Sequence, residues 1–242
     1  EILDFPMETF ARFFDNHGLL RVTDQPRWRF VAGGSRTYVA AFTQRFRGEV
    51  AAGAPAAGLL READGVRVRL ENGALRRHDG AVVATLADEA LALLEDPSPE
   101  ERRALAPWRY SANDVVLHTD PSWMPEERRA WASWNYRREA AQAPGAPLTL
   151  TYHMNRLQRL ESPRAYFVTL NPTRPIPAAR VVHRTQLTHP TYTFDSLAAQ
   201  ERLPGLNGRR RTWFCGSYFG YGFHEDAVRA GVEVGRSFGI DL

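Results

Sequence analysis

Lysine does not occur in this chain: all 31 of its basic residues are arginine. With 28 acidic residues the net charge is only +3, and the densest basic run, Arg209-Arg210-Arg211, is too short to form an electrostatic stripe. Arginine without lysine, beside frequent alanine, points to a GC-rich coding bias before it points to a nucleic-acid surface, so nucleic acid is not an expected partner. Cysteine is almost missing too. The single Cys215 excludes an intramolecular disulfide and a cysteine-based metal cluster. Its apolar surroundings read as those of a small buried hydrophobe rather than a nucleophile. No apolar run approaches the ~20 residues of a membrane span and no signal-peptide pattern opens the chain, so the expected location is cytoplasmic. A serine-hydrolase G-x-S-x-G elbow is absent. His224, Glu225 and Asp226 are adjacent, but neighbours on a helix diverge, and no known metal-ligand spacing occurs, so no metal is expected.

What is present reads as a layered α/β chain with an antiparallel insert. The opening residues place Phe10, Phe13 and Phe14 at helical spacing, with a stop near Asn16-His17-Gly18. A Gly33-Gly34-Ser35 turn then opens a second helix carrying Tyr38, Val39, Phe42 and Phe46. "GVRVRL" alternates as a half-buried strand should, Glu71-Asn72-Gly73 is a hairpin signal, and "AVVATL" is a nearly continuous apolar run. "SPEERRALAPW" starts a helix with Ser98 as N-cap and Pro99 at its first position. From 109 to 200 "NDVVLHTD", "RAWASWNYR", "PLTLTYHMNRLQ" and "RAYFVTLN" read as successive strands, which suggests an antiparallel sheet. His183 and His189 fall in what reads as a polar loop. "FDSLAAQERL" is one more helix.

The most pointed stretch is "FCGSYFGYGFHEDAVRAG", 214–231, with five aromatics and four glycines running from a strand into the last helix. That helix is expected to present Ala227, Val228, Gly231 and Val232 on one face. Glycines permit close approach of a backbone, and a helix start offers unpaired N–H groups with a partial positive charge. The stretch therefore asks what it approaches.

The residues "FFDNHGLL" (13–20), "WRFVAGGSRTYV" (28–39), "LHTDPSWMP" (117–125), "WASWNY" (131–136), "YHMNRLQ" (152–158) and "WFCGSYFGYGFHEDAVRAG" (213–231) resemble the C-terminal two-thirds of flavin-dependent amine-oxidase-like proteins. In particular they resemble a bacterial group of predicted NAD/FAD-binding oxidoreductases, often encoded near cyclopropane-fatty-acyl synthase-like methyltransferases. The resemblance implies an incomplete FAD-binding Rossmann-like domain, residues 28–95 and 205–242, interrupted by a mostly antiparallel substrate-type part, residues 1–27 and 96–204. It implies FAD as cofactor. Gly216, Ser217, Tyr221, Gly222, Phe223, His224, Asp226 and Ala227 would lie along the ribityl chain and pyrimidine edge, and Gly33, Gly34 and Ser35 would form a second turn near the flavin. Pro55 and Ala56 would fall on the adenine side. Helix-start N–H groups suit the negative charge that a reduced flavin carries, without a lysine.

The chain departs from that family in three places. The strand–GxGxxG–helix that holds the FAD pyrophosphate is absent, so a fragment, or a partner polypeptide supplying that half, is expected. The lysine that amine oxidases bridge by water to flavin N5 is absent. Ser217 stands where the family has glutamate. The expected activity is hydride transfer to flavin from an apolar substrate, a fatty-acyl chain or another lipid, with Trp131, Trp134, Tyr136, Tyr152, His153 and Asn155 as candidate pocket residues. Sheet packing explains those aromatics equally well, and His153 and His183 read first as structural. The alternative function is a non-catalytic substrate-binding or partner-docking remnant of the flavoprotein fold.

Overall fold

Helix α1 (Met7–Asn16) ends where its sequence signal lies, with His17 at the C-cap and Gly18 at φ +65° immediately after it. The computed structural model describes residues 5–24, 26–27, 29–138 and 148–241. The chain divides into two compact units, residues 110–189 and the two segments that flank them. By compactness, residues 96–109 and 190–204 group with the flanking unit, because the helix Pro99–Leu105 packs against the helix Phe194–Gln200 and the 203–206 turn.

In the flanking unit, α2 (Arg36–Arg45) follows the Gly33-Gly34 turn, whose glycines sit at φ +79° and +81°. No residue of α2 is buried, and Tyr38, Val39, Phe42 and Phe46 are all exposed. Strands β1 (Ala56–Arg61), β2 (Val66–Leu70) and β3 (Leu75–His78) form an antiparallel meander. Gly73, at φ +83°, turns β2 into β3. The apolar run at 81–86 contributes only a short strand, β4 (Ala81–Val83), before α3 (Ala87–Leu93) begins. Helix α4 (Pro99–Leu105) has the cap that its sequence announces: Ser98 Oγ accepts from the Glu101 amide at 3.2 Å, and Glu101 accepts from the Ser98 amide at 2.7 Å. Glu101 does a second task. It receives Arg61 of β1 at 2.8 and 3.0 Å, while Arg61 also reaches Asp96 at 2.6 Å, so a buried ion network ties β1 to α4.

The central unit is a five-stranded sheet of β5 (Arg109–His118), β6 (Trp134–Arg137), β7 (Thr149–His153), β8 (Phe167–Leu170) and β9 (Val181–Thr191), in the order β6-β7-β8-β5-β9. The β6/β7, β7/β8 and β5/β8 pairs are antiparallel. Three local expectations need correcting. Residues 128–130 form a 3-10 turn, so only the second half of "RAWASWNYR" is strand. Met154–Leu157 is a helical turn, α5, rather than a continuation of β7. His183 and His189 lie on β9 rather than in a loop. That strand is polar on both faces and sits at the sheet edge, so it lacks the alternation that marks a half-buried strand.

The chain then returns to the flanking unit through α6 (Phe194–Gln200), β10 (Thr212–Phe214) and α7 (His224–Ser237). Among the described residues strand β10 pairs, in parallel, with β4 alone. Helix α7 buries Asp226, Ala230 and Val234, packing the last two beside Cys215, and Val228 is exposed. The expected face through Ala227, Val228, Gly231 and Val232 is therefore rotated, because the Asp226 carboxylate is drawn inward. Burial raises the pKa of the Cys215 thiol, which keeps it protonated and inert.

Candidate functional site

The glycine turn after β10 is held largely by its own chain. Asp226 is buried and its carboxylate accepts from the amides of Tyr221 at 2.9 Å and Phe223 at 3.1 Å. Gln200 donates to the carbonyls of Tyr218 at 2.9 Å and Gly220 at 2.7 Å, and Tyr192 donates to Gly220 at 3.1 Å. The glycines follow from this packing. A Cβ on Gly216 would stand 2.6 Å from the Tyr218 ring, and one on Gly220 would stand 2.1 Å from Asp226. Gly222, at φ +88°, would meet the Tyr192 hydroxyl at 3.1 Å. On the outside, Phe13 of α1 and its C-cap His17 pack on Phe223, and Arg12 lies over the Tyr221 ring.

What the turn leaves open is the start of α7. His224 and Glu225 are exposed, and among the described residues their amides have no protein acceptor, as at any helix start. Glu225 and Asp226 in the first turn already offset part of the helix dipole. At the other turn, a Cβ added to Gly34 would have no heavy atom within 4 Å, whereas one on Gly33 would touch Thr37 at 2.9 Å. Ser35 caps α2 without a side-chain hydrogen bond. The open groups at the two turns are thus Gly34, Ser35, His224 and the amide of Glu225, while Gly216, Gly222 and Asp226 have packing or hydrogen-bond partners within the chain.

The six candidate pocket residues do not share one surface. Residues directly opposite in neighbouring strands point to the same face of a sheet. The register places Asn135, Thr149, Thr151, His153, Phe167, Thr169, Val116 and His118 on one face, and Trp134, Tyr136, Leu150, Tyr152, Val168, Leu170, Val115 and Leu117 on the other. Trp131 joins His153 on the first face, both packing on Phe167. Trp134 pairs edge-on with Tyr152 on the second. Asn155 fixes a loop, donating to Arg164 and accepting from Tyr166. The polarity is inverted from the usual arrangement. The face with the threonines and His118 is the buried one, and the aromatic and aliphatic face is half-buried to exposed.

Sequence reasoning missed the buried polar chain on the first face. His118 Nε2 meets Thr169 Oγ1 at 2.7 Å, and Thr169 meets Thr151 Oγ1 at 2.9 Å. His118 Nδ1 accepts from the Asp120 amide at 3.1 Å, so the neutral ring carries its proton on Nε2. The alternating threonines of "TLTYH" were the available signal. Protonating Nδ1 would turn its N–H onto the Asp120 N–H, and burial lowers the His118 pKa to about 4 against the opposing pull of Asp120. The folded state then binds fewer protons than the unfolded one between pH 6.5 and about 4. Stability is expected to be whole above pH 6.5 and to fall with acidification to about 4, by up to about 3 kcal/mol at 1.36 kcal/mol per pKa unit. Unfolding free energies of wild type and His118→Gln at pH 7.5 and 5 check this, since the variant should lose less on acidification. An equal loss would contradict it. His153, on the same face, also has a lowered pKa, chiefly through burial and further through Arg156.

No family model matches this sequence, and no curated protein matches it either. Solved structures do match its fold. A conjugated-linoleic-acid-producing fatty acid isomerase from P. acnes superposes with a TM-score of 0.59 at 13% identity, covering 86% of this chain and 52% of that one. Reduced UDP-galactopyranose mutase gives 0.57 at 13% identity, with 86% and 52% covered. Wild-type putrescine oxidase bound to putrescine gives 0.55 at 12% identity, with 85% and 53% covered. The chain spans about half the length of these proteins. Its fold is mixed α/β and is shared with about half of each of these chains. Among the described residues, no group of three His, Cys, Asp or Glu side chains could hold a metal, and no helix is long and apolar enough to cross a membrane.

Proposed function

We propose that this chain is the flavin- and substrate-facing part of an FAD-dependent oxidoreductase, with the pyrophosphate-binding half contributed by further polypeptide. The observation that carries the reading is the half-open apolar sheet face on a fold shared with such enzymes. Trp134, Tyr136 and Tyr152 would bind an apolar chain there, and their rings would exclude water from it. When bound, FAD would supply the hydride-accepting chemistry. The open amides of His224 and Glu225 would donate to its pyrimidine edge, and Gly34 and Ser35 would leave room for its body. The three fold neighbours are named as an isomerase, a mutase and an oxidase, so the fold leaves the net reaction open. A fatty-acyl or other lipid substrate suits the aromatic face best.

One observation favours the second reading, a cofactor-free binding module: Tyr192 and Asp226 already explain Gly222 and Gly220. A visible absorbance spectrum of the purified complete protein, before and after adding FAD, separates the two. The enzyme reading expects a protein-bound flavin band that survives gel filtration. A colourless protein that stays colourless with added FAD leaves the binding module.

A further inference from the structure

In the central unit, a cavity of about 430 Å³ is lined by Arg128, Arg164 and Arg180 together with Trp131, Pro121 and Pro163. The three arginines come from separate segments: the turn before β6, the loop after α5 and the turn before β9. Among the described residues none of their guanidinium groups forms an ion pair, whereas two neighbouring arginines are engaged. Arg184 is paired with Asp114, and Arg174 donates to Ser122. The adjacent carboxylates Glu126 and Glu127 do not neutralise Arg128, which lies over the Trp131 ring at 5.3 Å instead. A fourth guanidinium, Arg156, donates to the Trp131 carbonyl at 2.7 Å.

The three guanidinium groups are exposed along one concave wall, where an anion would join them and offset their mutual repulsion. We infer that this cavity binds a phosphate group carried on a small organic molecule, with Arg128, Arg164 and Arg180 as its ligands and the Trp131 ring against the organic part. Guanidinium forks match tetrahedral phosphate oxygens in pairs, and three of them favour a phosphate dianion or a diphosphate over a single carboxylate. A volume of this size holds such a group with a few attached atoms. The inference stands without flavin, because every ligand lies in residues 110–189.

The test is isothermal titration of the purified protein with inorganic diphosphate, beside co-sedimentation with phosphatidylcholine vesicles with and without phosphatidic acid. Each Arg→Gln change at 128, 164 or 180 is expected to weaken diphosphate binding about tenfold, the loss typical of a charge-assisted hydrogen bond. Arg→Lys at the same positions should recover only part of it, and Arg45→Gln on α2 should change nothing. Binding confined to vesicles that contain phosphatidic acid would assign the phosphate to a lipid headgroup, and binding of free diphosphate would assign it to a soluble ligand. Absence of both, or equal binding by wild type and the three Gln variants, would overturn the site.

Discussion

Replacing Gly220 with alanine is expected to cost about 3 kcal/mol and to lower Tm by about 10 °C, although it adds a single methyl group. The methyl carbon would lie 2.1 Å from the Asp226 carboxylate oxygen, 2.4 Å from Cγ and 2.7 Å from Cβ. Something must move, and the usual escape is closed. The carboxylate is buried and accepts from the amides of Tyr221 and Phe223. The Gly220 carbonyl is held from the other side by Gln200 and Tyr192. Displacing Asp226 leaves two amides without their acceptor, at about 1–3 kcal/mol each for a buried group. Thermal unfolding followed by circular dichroism reads the effect. Gly231→Ala is the internal control. Gly231 lies inside α7 with nothing within 4 Å of an added Cβ, so alanine there should raise stability by about 0.5–1 kcal/mol. If the two substitutions behave alike, the packing assigned to the turn is wrong.

The other large effect is expected at the ion network between β1 and α4. Arg61→Met should destabilise the protein by about 3–5 kcal/mol, the usual cost of leaving one member of a buried pair uncompensated. The Arg61 side chain is 1% exposed and that of Glu101 5% exposed, so water cannot replace the missing partner. Changing both, Arg61→Met with Glu101→Met, should recover most of the loss. It should stop short of wild type by about 1 kcal/mol, because Glu101 also closes the capping box on Ser98. Urea unfolding of the two single variants and the double variant gives the coupling directly. Additive losses would mean that the pair contributes packing alone.

These two sites also show what the sequence could and could not reveal. The start of α4 was legible because Ser98, Pro99 and Glu101 are local signals, each acting within one turn of chain. The hairpin at Gly73 and the end of α1 at Gly18 were legible for the same reason. The partner of Glu101 was not, since Arg61 lies 40 residues away and any of 31 arginines could have filled the place. The glycines of 216–222 were legible as a close-approach signal; the sequence suggested a ligand, while the internal partners Tyr218, Asp226 and Tyr192 that the structure puts against them lie too far along the chain or too deep in the fold to be read from it. The candidate pocket residues divide by parity. Trp134, Tyr152 and His153 look like one aromatic set in one dimension, yet a register in which Trp134 faces Tyr152 sends His153 to the opposite face. The mixed α/β class was legible because it depends only on the order of the elements.

The pair β4–β10 has a directional consequence. Asn207 Oδ1 accepts from the Phe214 amide at 2.7 Å and the Gly208 amide donates to Thr212 at 3.1 Å, so the outer edge of β10 is closed by its own loop. On β4 the Val83 carbonyl is taken by Cys215. Alternation along a strand then turns the amide and carbonyl of Val82 the other way. Val82 is 49% exposed, and among the described residues no strand lies beyond it. This miniature sheet is a zipper with one end sewn shut: any added strand must enter alongside Val82, and its side chains would continue the layer that Val83 and Phe214 begin.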